Sequence, residues 1–148
     1  MGDMVRVMAS GVFDLLHTGH LHYLQEAKKL GDELIVVVAT DATVRQRKHN
    51  PVTPQNMRRE LVAALKPVDC AVIGNDGDPL LIVEEAQPDI IALGYDQSFQ
   101  DLAEKLKQRG IRAKIVRCSK YSGHDLNGTR KIIRKIYKNR LMDAPVEQ

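Results

Sequence analysis

The run Leu34-Ile35-Val36-Val37-Val38-Ala39 constrains this chain most: it is apolar without interruption and rich in β-branched side chains. A strand with one wet face alternates polar and apolar residues, whereas a run apolar at every position needs cover on both faces. Such strands lie inside parallel sheets, whose crossover connections lay helices over the two faces. The rest of the chain must then supply strands and helices in alternation, and it does. Met4–Ser10 reads as a first strand, ended by Gly11. Leu21, Leu24, Ala27 and Leu30 recur at helical spacing across Gly19–Leu30, with Gly31 as the stop. The strand Glu33–Ala39 is followed by a helix over Pro54–Leu65 and a strand over Cys70–Ile73. Then come a helix over Pro79–Glu85, a strand over Ile90–Leu93, a helix over Phe99–Gln108, a strand over Ile111–Val116 and a helix over Gly128–Leu141. Right-handed crossovers leave few arrangements of these units. The expected fold is α/β: a single Rossmann-like, doubly wound, five-stranded parallel sheet with helices on both faces.

The 148 residues suit one domain spanning 1–148, with an ordered body over roughly 4–141 and a fraying tail. No apolar stretch approaches the ~20 residues that span a bilayer. Met1-Gly2-Asp3-Met4 lacks the basic start and apolar stretch of a secretion signal. Cys70 and Cys118 have neither disulfide-framework nor metal-ligand spacing. A cytoplasmic protein with no membrane partner is expected. The net charge of +3 hides a cluster at the C-terminal end: Arg130, Lys131, Arg134, Lys135, Lys138 and Arg140. Most of these read as a solvated helix face, with Arg130 and Lys131 kept as candidate anion contacts. The polar, basic stretch Arg45–Pro54 reads as a long loop of the kind that forms lids and binding segments.

Ligands of doubly wound sheets bind beyond the carboxyl ends of the strands, near the switch in strand order. His17-Thr18-Gly19-His20 falls there, where the first loop becomes the first helix. A helix N-terminus offers free N–H groups and partial positive charge to phosphate. Gly19 lets a ligand approach the backbone, and two imidazoles can donate to phosphate oxygens with a charge that adapts near neutrality. Two other readings compete: one of the histidines as a helix-start hydrogen bonder, and zinc. Zinc lacks a third ligand and the Glu of a His-Glu-x-x-His pair, so no protein metal ligand is assigned. His22 and His49 read as surface residues, and His124 has no assigned role. No P-loop and no Gly-x-Gly-x-x-Gly follows the first strand, which argues against P-loop ATPases and NAD-type enzymes. Two Phe, four Tyr and no Trp leave few stacking platforms, so no nucleic-acid partner is expected. A receiver-like signalling module would need an acidic pair where Asp14 stands alone.

Gly11-Val12-Phe13-Asp14-Leu15-Leu16-His17-Thr18-Gly19-His20 resembles the signature of the cytidylyltransferase-like nucleotidyltransferases. Asp32–Val44, Arg58–Val62, Leu65–Asp69, Pro88–Ile91 and Leu93–Gln97 resemble further family segments, so the likeness covers about Val5 to Ile136. Two branches lie near. The archaeal FAD synthases transfer AMP from ATP to FMN, and the glycerol-3-phosphate cytidylyltransferases use CTP. The second branch usually carries Asp-Trp where this chain has Asp96-Gln97, and Arg-Thr-x-Gly-Ile-Ser-Thr-Thr where it has His124–Arg130. The resemblance therefore implies ATP and FMN as substrates, a divalent metal such as Mg²⁺ bound with ATP, and a homodimer. It also implies ATP contacts from Val12, Phe13 (backbone and ring), His17, Thr18, Gly19, His20, Asp96, Tyr121 and Thr129. His17, His20, Lys48 and Arg130 would carry catalysis. Asp14 would orient the histidine loop, or cap the turn that leads into the helix.

Overall fold

The computed structural model describes residues 3–47 and 49–141. Lys48 and the expected fraying tail beyond Leu141 lie outside the described residues. The strands are β1 (Arg6–Gly11), β2 (Glu33–Val38), β3 (Cys70–Ile73), β4 (Ile90–Leu93) and β5 (Lys114–Arg117). They form one parallel sheet in the order β3-β2-β1-β4-β5. The helices are α1 (Thr18–Lys29), α2 (Asp41–Arg47), α3 (Gln55–Ala63), α4 (Leu81–Ala86), α5 (Phe99–Gln108) and α6 (Thr129–Ile136), the last running into a π-helical turn over Tyr137–Leu141. The strand order reverses between β1 and β4, so the switch lies beside the first strand, as the doubly wound reading requires.

Alternation of side chains across the sheet divides the core in two. Val7, Ala9, Leu34, Val36, Val38 and Ala92 point to one face, where Leu24 and Ala27 of α1 and Val62 of α3 cover them. Met8, Val37, Ile91 and Leu93 point to the other, under Leu80, Val83 and Leu106. The unbroken run in β2 is thus buried on both sides, as its composition demands.

Two elements differ from their sequence reading. Asp41–Arg47 is helical, which shortens the expected Arg45–Pro54 loop. The Thr40 hydroxyl caps this helix by accepting from the Thr43 amide at 3.0 Å. The fifth strand starts at Lys114 rather than Ile111, because Ile111 belongs to the end of α5. The Gly110 amide donates to Lys107 and the Ile111 amide to Leu106, with Gly110 at φ 69. That is a Schellman ending, and its Ile111–Leu106 contact joins the second core.

The carboxyl edge is held by a buried charge. Arg58 on α3 has no exposure at all. Its Nε donates to the Thr53 carbonyl at 2.9 Å, and Nη1 donates to the carbonyls of Val12 (2.7 Å) and Ala39 (2.8 Å). Nη2 meets the Asp41 carboxylate at 2.7 Å. One guanidinium therefore joins the ends of β1 and β2, the start of α2 and the approach to α3. Loss of one partner of a buried pair costs more than the pair contributes, because the remaining groups stay desolvated. Arg58→Leu should lower the unfolding free energy by about 3 kcal/mol in urea titrations. A change within experimental error would mean that water replaces the guanidinium without cost.

Candidate active site

The turn between β1 and α1 is the centre of the site. Phe13 and Leu15 sit at φ 57 and φ 54, a region that non-glycine residues rarely enter. The Phe13 ring turns inward, 3% exposed, and fills the space over Gly11, where a Cβ would meet it at 3.0 Å. Its ring also lies 5.4 Å from that of His20. Phe13 is therefore a platform beneath His20, and the ring contact with ATP implied by the resemblance has no exposed ring to make it.

His17 takes an extended conformation and caps α1. Its Nδ1 accepts from the Gly19 amide at 3.0 Å, and the Nδ1 of His20 accepts from the His17 amide at 3.2 Å. The two rings stack at 3.8 Å between centroids. With both Nδ1 atoms accepting, each neutral ring carries its proton on Nε2. A second proton on either ring would have to displace a cap bond. The adaptable charge expected from the sequence is thus restricted: burial also holds the His17 pKa below its ordinary 6.5. Gly19 serves this geometry too. A Cβ there would lie 2.8 Å from the His17 ring and 2.8 Å from the Asn127 carbonyl oxygen.

Asp14 is buried. Its carboxylate accepts from the amides of Val52 (2.7 Å) and Thr53 (3.0 Å) and from the Thr53 hydroxyl (2.7 Å). Burial opposes its ionisation, but these bonds and the charge of Arg58 outweigh it and hold the carboxyl below its ordinary range. Asp14 therefore fastens the segment that leads into α3, directly after the Lys48 region.

The loop after β5 is laid along α1. Glu26 accepts from the Ser119 amide (2.7 Å) and hydroxyl (2.6 Å), and His22 Nε2 reaches the same hydroxyl at 3.1 Å. His22, expected at the surface, is partly exposed and held in this clamp. Ser, His and Glu here converge on one another rather than acting in series, so they fasten the loop and form no nucleophile relay. Tyr121 rests its ring against His22, and its carbonyl accepts from Asn127 at 2.6 Å. Thr129 donates to the Asp14 carbonyl at 2.8 Å, which brings the first turn of α6 beside the histidine turn. Arg130 follows it, exposed on α6. Asp96, also exposed, borders an open depression of about 630 Å³ beyond β4 and β5, with Tyr95, Gln97, Phe99 and Arg117. His124 closes a local turn by accepting from Leu126, and His49 is exposed. Burial, with Glu26 nearby, pushes the Cys118 thiol up to about 11, so it stays protonated.

The structure therefore gathers Val12, Thr18, Gly19, both histidines, Tyr121 and Thr129 around one helix start. Sequence reasoning missed Arg58, Glu26 and the Thr53–Asp14 contact. Only the last left any local trace, since Thr53-Pro54 marks the approach to a helix.

The histidine turn lies at a helix N-terminus beside the switch of a doubly wound sheet, the place where such folds bind nucleotides. The chain belongs to the cytidylyltransferase-like family, whose model matches residues 8–139. It is 57% identical over 135 residues to a FAD synthase of Aciduliprofundum boonei, covering 90% of this chain and 91% of that protein. A FAD synthase of Thermoplasma acidophilum is 54% identical, at 90% and 94% coverage. The solved structure of a lipopolysaccharide core biosynthesis protein from Thermoplasma volcanium is 54% identical, with a TM-score of 0.78, over 81% of this chain and all of that one. A pantoate-β-alanine ligase from Francisella tularensis, 17% identical with a TM-score of 0.55 over 90% of this chain and 70% of that one, shares the fold.

A group whose folded pKa is depressed contributes stability that is complete above its unfolded value and is lost as pH falls through the folded one. For His17 that loss begins as pH drops below about 6.5. His17→Asn keeps an oxygen for the cap and takes no proton. Its unfolding free energy should fall less than that of the wild type between about pH 7 and about pH 5. Equal slopes in paired urea titrations would remove His17 from this dependence.

Proposed function

We propose that this chain is an FMN adenylyltransferase, joining AMP from ATP to FMN to give FAD and pyrophosphate. The observation that carries the reading is the pair of Nε2–H donors fixed by the cap of α1, in a chain 46–57% identical to proteins named FAD synthase. A phosphate oxygen of FMN attacks the α-phosphorus of ATP in line. A new P–O bond forms, the bond to the bridging oxygen breaks, and that oxygen keeps the electron pair as pyrophosphate departs. The acceptor is already ionised at neutral pH, so no strong base is required. What the protein must supply is alignment and charge stabilisation.

In this reading His17 and His20 donate to phosphate oxygens on the path of the leaving group, and the free amides of the α1 N-terminus add their partial charge. Lys48 and Arg130 add cations, and Thr129 joins Arg130 on the pyrophosphate side. Val12, Thr18 and Gly19 present backbone to the nucleotide, while Asp96 and Tyr121 face the adenosine. A divalent metal would come bound to the nucleotide's phosphates and would supply charge neutralisation there. Among the described residues no three His, Cys, Asp or Glu side chains gather into a metal cluster, and three donors already occupy Asp14. That donor set fits a Mg²⁺ held mainly by phosphate oxygens and water. No helix among the described residues is long and apolar enough to cross a membrane. We place the reaction in the cytoplasm, where an exposed thiol such as Cys70 stays reduced, and expect a homodimer.

The test crosses ATP and CTP against FMN, glycerol 3-phosphate and a sugar 1-phosphate, with Mg²⁺, reading pyrophosphate and separating the products. FAD from ATP and FMN alone is expected. CDP-glycerol would retain the histidine mechanism and overturn the flavin assignment, and a nucleotide sugar would favour the lipopolysaccharide role named for the Thermoplasma volcanium protein. His20→Ala should lower kcat by about 100-fold while KM for ATP changes little. An unchanged kcat would remove His20 from the chemistry.

A further inference from the structure

The ladder between β1 and β4 stops early. It ends at Ala9↔Ala92, whereas β1 runs on with β2 to Gly11↔Val38 and β4 runs on with β5 to Leu93↔Arg117. With Ala9 opposite Ala92, the Ser10 amide faces the Ala92 carbonyl, and the next rung would join the Gly94 amide to the Ser10 carbonyl. Side chains also engage each of these groups where the ladder ends. The Tyr23 hydroxyl, from the second turn of α1, accepts from the Ser10 amide at 3.3 Å and donates to the Ala92 carbonyl at 2.6 Å. It also lies 3.4 Å from the Ser10 carbonyl. The Gly94 amide donates to Gln97 Oε1 at 2.8 Å. Tyr23 is partly buried against the first core, and burial raises its pKa above the ordinary 10, so the hydroxyl remains a neutral donor.

Buried backbone groups must find partners, and adjacent strands satisfy them by pairing. At this level the two strands would zip further toward their carboxyl ends unless something else took their N–H and C=O groups. The place matters because β1 leads into the histidine turn and β4 leads to Asp96.

We propose that Tyr23, together with Gln97, is a positioning residue that stops the β1–β4 ladder and holds open the crevice in which the nucleoside triphosphate lies. The inference rests on the nucleotidyl-transfer reading above. Neither side chain is required to touch the reacting atoms: Tyr23 acts through Ser10 and Ala92, and Gln97 through Gly94. The two residues set the spacing between the phosphate side and the nucleoside side of the site, and hence nucleotide affinity rather than the rate of the chemical step.

Tyr23→Phe keeps the ring and removes the hydroxyl, and Gln97→Leu removes the acceptor for Gly94. Each should raise KM for ATP by about fivefold, with kcat within about twofold of the wild type. The double variant should raise it further and slow amide exchange at Gly94 as a new rung forms. A purely structural role would lower Tm and leave KM unchanged, and so would a water that takes the place of the hydroxyl; either result overturns the proposal. Should the double variant not fold, Tyr23→Phe alone decides. Calorimetric titration with a non-hydrolysable ATP analogue separates the two levels of inference. If the wild type binds the analogue but makes no FAD, the flavin reading fails. The analogue's affinity for Tyr23→Phe then still decides the role of Tyr23, with a fivefold loss supporting it and equal affinity overturning it.

Discussion

Taking a guanidinium out of water is costly, and this protein places one at the carboxyl edge of its sheet. Arg58 meets that cost with four hydrogen bonds, three to backbone carbonyls and one to a carboxylate. The carbonyls of Val12 and Ala39 follow two neighbouring strands, and the carbonyl of Thr53 opens the approach to α3. These chain ends diverge from the sheet and have no ladder to satisfy them. A fixed, planar fork of donors suits them better than a water could, because it also dictates their relative positions. Asp14 repeats the device with the opposite sign, accepting from Val52 and Thr53. Buried ions of both charges therefore surround the segment between α2 and α3, and the histidine turn is built on the strand end that Arg58 holds.

α1 distributes that order across the site. Its first turn supplies the cap and the donors, its second turn brings Tyr23 into the switch, and its next turn holds Ser119 through Glu26. The loop after β5 is thereby placed against the helix start, with the Asn127 carbonyl where a Gly19 side chain would be. The site is a set of loops gripped by one helix, which explains how segments more than a hundred residues apart, such as Asp14 and Thr129, meet within hydrogen-bond distance.

The sheet was legible because its signals are local. Leu34–Val38 requires cover on both faces, and the glycines and polar residues after each strand mark the ends. The His-x-Gly-His turn was legible as a helix start. What its imidazoles do there was only half visible, because a cap bond and a phosphate donor call for the same residue types. Arg58 opens a segment that resembles the family, yet its burial gave no signal: beside Arg59 and Glu60 on a polar helix, an arginine one turn before Val62 reads as surface. α2 was missed because Val44 is its single buried side chain, although Thr40 and Thr43 carried a capping pattern. Tyr23 and Glu26 draw their roles from Ala92 and Ser119, partners 69 and 93 residues away, and no spacing rule connects them.

The position of β1 has a consequence for the order of assembly. As the chain is synthesised, β1, β2 and β3 can pair once residue 73 is available, giving half of the sheet with the histidine turn already attached. The other side of the crevice waits for β4, whose register with β1 joins residues 83 apart. Long-range parallel pairing of this kind forms late, since loop closure must precede its contacts. The crevice between β1 and β4 is therefore the seam between an early half and a late half of the domain, and a ligand that spans it would bind only to chains in which both halves have met.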